Sequence, residues 1–144
     1  AQCFDINTIT HHVASRTVSD MLTRIVLNEE AKAIYRGLIS IYPKAIGCEG
    51  YQKDDTILLS EDARADAVPN LEIANNDVKC SHGATISQVD EEKLFYMKSR
   101  GIDENSAKKA IIEGFFTPII KKIEDEKIEK EILDSISQRL GALH

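Results

Sequence analysis

The chemistry of this chain is densest in one hexapeptide, Val78-Lys79-Cys80-Ser81-His82-Gly83. In a β-strand side chains alternate between faces, so Val78, Cys80 and His82 project together and set a thiol and an imidazole two residues apart on one side. That pair can bind a soft or borderline metal. Cys48 stands thirty-two residues before Cys80. A chain that returned to the same column after each turn would bring the two thiols to roughly 5 Å, an ordinary strand spacing, with the histidine in reach of the same ion. Packing competes with this reading, because cysteine is among the most buried residue types and a histidine on an apolar face is commonly a satisfied core residue.

Other arrangements carry less. Cys80 with His82 makes half of a thiol-protease pair, but no third orienting group is placed and no oxyanion donors are evident. Asp54 and Asp55 are adjacent. On a strand they would face opposite ways, which spoils a carboxylate pair of the kind used on polysaccharides, so they read as turn residues. His11, His12 and His144 read as exposed, and no glycine-rich phosphate loop occurs.

The elements that must position these residues show as a repeat. Isoleucine recurs every sixteen residues at Ile9, Ile25, Ile41, Ile57 and Ile73, with Val89 next. At twice that interval the run from Ile25 to Ala33 lies over the run from Ile57 to Ala65, Ile39 meets Leu71, Ile41 meets Ile73, Ile46 meets Val78 and Cys48 meets Cys80. Period-two alternation around Tyr35, Ile39 and Ile41 marks strands, and turn chemistry at 43–50, 52–55 and 75–77 separates them. A fixed apolar period of this kind predicts a solenoid of thirty-two-residue turns. The expected fold is mainly β: a parallel β-helix over 1–89, followed by a small α-helical domain over 90–144.

Within that second domain Asp90 caps a helix that Gly101 stops, Asp103 opens another carrying Ala107, Ala110, Ile111 and Phe115, and Thr117-Pro118 is expected to start a third. Ile120, Ile123, Ile128, Ile132, Ile136 and Leu140 form its apolar stripe beside a solvated, charge-rich face. The 144 residues, 42% hydrophobic, divide their core between the two parts, and the repeat already runs at Ile9, so a C-terminal fragment of a longer protein is expected. Three widely spaced cysteines give neither a disulfide framework nor a zinc motif, and no signal peptide or long apolar run occurs, so a cytoplasmic location without membrane contact is expected. A net charge of −6 argues against nucleic acid.

The run 76–85, with Asp90-Glu91-Glu92, Leu94-Phe95-Tyr96, Ser99-Arg100-Gly101-Ile102 and Glu113-Gly114-Phe115, resembles the C-terminal region of the SufB/SufD iron–sulfur cluster assembly proteins. Tyr35-Arg36-Gly37-Leu38-Ile39, Ala63-Arg64-Ala65-Asp66 and Pro69-Asn70-Leu71-Glu72-Ile73 fit the same family, and the resemblance covers essentially the whole chain.

The resemblance implies a non-catalytic scaffold subunit. Such proteins pair as heterodimer or homodimer through their last β-helix strands, dock the SufC ATPase on the helical domain, and hold a transient iron–sulfur cluster where a SufD-type histidine faces a SufB-type cysteine. No cofactor is expected on the isolated chain. By motif His82 matches that histidine and Cys80 its neighbour. Lys53-Asp54-Asp55 replaces the acceptor cysteine of SufB and Gly83 replaces its glutamate, which implies the SufD type. An open stack end must be paired or capped, so Val78, Cys80, His82, Ala84 and Ile86 are the expected dimer interface, with Phe115, Phe116, Ile119 and Ile120 for the ATPase. A purely structural solenoid and a β-helix carbohydrate-active enzyme are the alternatives.

Overall fold

Six strands precede three helices in the computed structural model, which describes residues 2–141: β1 (Cys3–His12), β2 (Val18–Leu27), β3 (Lys32–Ile41), β4 (Cys48–Leu58), β5 (Arg64–Ile73) and β6 (Val78–Gln88), then α1 (Glu91–Ser99), α2 (Glu104–Ile120) and α3 (Glu126–Gly141). They divide into two units, Ala1–Gln88 and Val89–His144.

The strands form two separate three-stranded sheets, ordered β1-β3-β5 and β2-β4-β6, every pairing parallel. Alternation decides what each face holds. On β3 the residues Ala33, Tyr35, Ile39 and Ile41 are buried, and on β4 so are Cys48, Gln52, Asp54 and Thr56. Ile39, Ile41, Ala45 and Cys48 make one core cluster, joined by Met21, Leu71, Val78 and Cys80, so side chains from both sheets meet in it. A second cluster, Leu27, Ala33 and Ala63, closes the opposite end. Asn75 ties two successive turns together, its amide donating to the Tyr42 and Ala45 carbonyls at 3.0 Å each. Gly47 occupies the left-handed region at φ 67° and donates its N–H to Asp77 at 2.6 Å.

This arrangement corrects the parallel β-helix expected from a fixed turn. Cys3 pairs with Lys32, Val18 with Glu49, Lys32 with Arg64 and Cys48 with Val78, offsets of 29, 31, 32 and 30 residues. Only the β3–β5 pair keeps thirty-two, so Ile41 meets Ile73 and Ile39 meets Leu71 as expected. Ile25 instead meets Thr56, Ile57 meets Val26, and Cys80 meets Gly50 rather than Cys48. The connections between strands differ by a residue or two, and a one-residue slip turns a side chain to the other face. Ile9, 61% exposed, accordingly shows no counterpart of the burial of Ile41 at 1%. The protein is mainly β, but as two parallel sheets followed by helices and not as a solenoid of constant turns.

A second correction concerns 52–55, expected as a turn. These residues lie within β4, and the turns lie elsewhere.

In the helical unit, Asp90 accepts from the Lys93 N–H and Asp103 from the Ser106 N–H, the caps expected of α1 and α2. Gly101, at φ 86°, follows α1. Thr117-Pro118 does not open a third helix: Pro118 sits inside the last turn of α2, where the Thr117 hydroxyl donates to the Glu113 carbonyl at 2.7 Å. The third helix starts where Asp125 accepts from the N–H groups of Lys127 and Ile128. Among the described residues no helix is long and apolar enough to cross a membrane.

Candidate functional site

Among the described residues, β6 is bonded to a neighbouring strand only on its β4 side. Its inner face carries Val78 and Cys80, half-buried, and then His82, Ala84 and Ile86, all exposed. The thiol and the imidazole therefore share a face, as alternation requires, but they sit in different surroundings. A Cβ added to Gly50 would come within 2.9 Å of Cys80 Sγ and 3.2 Å of Ile39 Cγ2. The thiol thus occupies the space that glycine leaves and is turned toward the core. Burial pushes the Cys80 thiol up, against a smaller lowering by the Gly50 backbone, and nearby Cys48 raises it slightly more. The neutral thiol is favoured there.

Cys48 is fully buried, donating to the Ala14 carbonyl at 3.3 Å with the Thr17 hydroxyl also at 3.3 Å. It pairs with Val78, one inner-face position along from the Gly50–Cys80 pair. The two cysteines therefore stand diagonally and not in one column. Among the described residues, no three His, Cys, Asp or Glu side chains converge on a point that could hold a metal ion.

Sequence reasoning missed the inner face of β4. Gln52, Asp54 and Thr56 are 0%, 1% and 2% exposed, a polar row inside the sheets. Burial, and secondarily the charge of Asp55, push the Asp54 carboxyl up to about 6. Lys53 is committed to Asp55 at 3.0 Å. Gln52 fills the space left by Gly37, where an added Cβ would lie 2.0 Å from Nε2 and 2.9 Å from the Tyr35 hydroxyl. Tyr35 in turn shares a 2.7 Å hydrogen bond with Thr8. The available signal was Cys48, Gly50, Gln52, Asp54 and Thr56 at strict two-residue spacing, but their polar character resembles that of a loop. By register, Gln52 lies beside His82 and Asp54 beside Ala84.

His12, expected at the surface, is instead buried between two hydroxyls, Thr17 at 2.6 Å from Nδ1 and Ser19 at 2.8 Å from Nε2. His11 is exposed and packs edge-on against Tyr42. His144 lies outside the described residues.

In the helical unit Ile120 is buried, while Phe115, Phe116 and Ile119 are half-buried, the two phenylalanine rings meeting edge-on at 5.3 Å. Among the described residues of this unit, Phe95 at 75% and Tyr96 at 58% are the large apolar side chains most open to solvent.

The parallel-sheet unit thus ends in an edge strand, paired on one side with β4, that bears Cys-Ser-His and is followed in sequence by capped helices. Residues 1–115 match the family model described as SUF system FeS cluster assembly, SufBD core domain, and the chain belongs to that family. It is 35% identical over 136 residues to the iron-sulfur cluster assembly protein SufD of Escherichia coli, which covers 94% of this chain and 32% of that protein. Iron-sulfur cluster assembly SufBD family proteins of Staphylococcus saprophyticus and Staphylococcus haemolyticus are 34% and 35% identical over 112 residues, 78% of this chain and 24% of each relative. The chain thus spans between a quarter and a third of the length of these relatives.

Proposed function

We propose that this chain acts as a SufD-type scaffold in iron–sulfur cluster assembly, a non-catalytic part of an ATPase-driven complex in the cytoplasm. Its β6 edge pairs with a SufB/SufD-type subunit, and a transient cluster, as cargo, forms where His82 faces that partner. The observation that carries the reading is the edge itself: β6 has a neighbour on one side only and presents exposed His82, Ala84 and Ile86 there. An unpaired strand is a template for strand addition by another chain. Lys53-Asp54-Asp55 and Gly83, together with the similarity to a protein named SufD, favour the SufD type.

The helical unit docks the SufC-type ATPase. Phe115, Phe116 and Ile119 contribute the parts of their side chains that remain open, whereas Ile120 supports the unit from inside. Cys80 serves as a reserve donor that must first leave the Gly50 slot.

Ile86→Lys places a charge at a solvent-exposed position on the inner face of the edge strand, and an inward-pointing charge there blocks edge pairing. Co-purification with a SufB-type partner should be lost while the thermal midpoint of the isolated chain changes little. Pairing that survives this change contradicts the edge reading.

A further inference from the structure

The sheet β1-β3-β5 carries polar side chains on its outer face that the assembly role leaves unused. Register places His11 beside Ser40 and Ser40 beside Glu72, each one strand spacing apart. Where β3 and β5 end, Ser40, Tyr42, Pro43, Glu72 and Ile73 line a cleft of about 320 Å³. A volume at the lower end of the ligand-pocket range admits a single side chain and not a folded element.

Backbone hydrogen bonds hold the walls of this cleft in place. The Tyr42 N–H donates to the His12 carbonyl at 3.1 Å, the Ala45 N–H and the Asn75 amide donate to the Tyr42 carbonyl at 3.0 Å each, and the Ala74 N–H donates to the Ile41 carbonyl at 3.0 Å. A site formed in advance avoids the ordering cost that weakens the binding of small groups.

One side of the cleft is anionic. Glu72 is exposed, and among the described residues its carboxylate has no salt bridge or hydrogen bond, nor has the Ser40 hydroxyl. Lys44, next to Pro43, is exposed and makes no ion pair with it, and Arg36 on the same face of β3 is committed to Asp5. The rest is aromatic and apolar. Tyr42 is 47% and Ile73 43% exposed, and His11 braces the tyrosine edge-on at 5.9 Å between ring centroids.

An unpaired carboxylate and a hydroxyl beside an open tyrosine ring, with Pro43 and Ile73 adjoining, suit a flat cation on an apolar stem. A guanidinium is such a group: its donors fork onto a carboxylate, its plane stacks on an aromatic ring, and its methylenes cover apolar surface. An ammonium brings the charge without the fork or the plane.

We propose that this cleft receives an arginine side chain of a partner protein, with Glu72 and Ser40 accepting from the guanidinium and Tyr42 lying along its plane. The net charge of −6 favours the approach of a basic segment. The cleft belongs to the sheet that does not contain β6, so the site is separate from the β6 edge.

Amide chemical shifts of the isotopically labelled 144-residue chain, followed during titration with a blocked Gly-Arg-Gly peptide, test the proposal. Saturable changes should centre on residues 40–44 and 72–75. Glu72→Gln should weaken binding roughly tenfold or more, the size of a lost hydrogen bond to a charged group, and Tyr42→Leu roughly threefold or more. Both side chains are exposed, and unchanged shifts elsewhere verify that the variants are folded. Lysine in place of the peptide's arginine should weaken binding roughly threefold or more, and neutral citrulline should abolish it. Equal binding of the arginine and lysine peptides, wild-type affinity in Glu72→Gln, or shift changes spread over the whole acidic surface overturns the docking site. Guanidinium chloride that binds as tightly as the peptide overturns it too, because a cleft indifferent to the stem takes any small cation and not a protein side chain.

Discussion

Replacing Asp54 by asparagine should stabilise the isolated protein at neutral and alkaline pH. The side chain is 1% exposed, and its carboxyl is raised from 3.8 to about 6, first by burial and then by Asp55. A shift of about two units corresponds to about 3 kcal/mol at 1.36 kcal/mol per unit. Because the folded value lies above the unfolded one, the folded state keeps a proton that the unfolded chain has lost between about pH 4 and pH 6. Wild-type stability from this group is therefore fully present below about pH 4, falls as pH rises through about 6, and stays low above it. Asn carries no charge at any of these pH values and escapes the loss. Urea unfolding of both proteins across this range should show Asp54→Asn more stable by about 2–3 kcal/mol near pH 8, with the difference shrinking toward zero near pH 4. The difference between the proteins isolates this group from the other carboxylates. A variant equally stable or less stable at pH 8, or a difference that does not depend on pH, refutes the reasoning.

The register makes a sharp contrast between two isoleucines that a sixteen-residue column treats as equal: Ile41→Ala should cost about 2–5 kcal/mol, and Ile9→Ala, at a 61% exposed position, less than about 0.5 kcal/mol; equal losses in denaturant unfolding would restore the column. Gly37→Ala should destabilise by about 1–3 kcal/mol because its Cβ would lie 2.0 Å from Gln52 Nε2, and shortening Gln52 to Ser in the same chain should recover most of that. Gly50→Ala should displace the Cys80 thiol and speed its labelling by a thiol reagent; unchanged labelling would mean the thiol is not held in that slot.

Much of this fold is written locally. Ile39 and Ile41 opposite Leu71 and Ile73 were legible because the β3–β5 offset is the one that equals the repeat, and Asp90, Gly101 and Asp103 punctuate the helices by side-chain chemistry alone. Register elsewhere was not legible, because it depends on connection lengths that differ by single residues. Ile57 shows the result: the column expects Ile25 beside it, and the structure puts Val26 there. The Gln52–Asp55 stretch misled in another way. Polar composition argues for a turn, and only the fold reveals that Gly37 opens room for the Gln52 amide inside. Pro118 likewise argues for a helix start, but it falls in the last turn of α2, which closes at Ile120. At the site, the shared face of Cys80 and His82 followed from alternation, whereas their unequal burial depends on β6 being an edge and on Gly50 lying beneath the thiol.

His82 is an exposed side chain on an edge strand, and its proposed role is toward a partner and the cluster rather than the core. Iron and acid-labile sulfide should therefore be measured in the complex of His82→Ala with the proposed SufB-type partner and ATPase, beside the wild-type complex at equal subunit ratio. The variant complex should assemble with an unchanged thermal midpoint and carry clearly reduced iron and sulfide. A complex that fails to assemble, or one that assembles with full cluster content, contradicts the role proposed for His82.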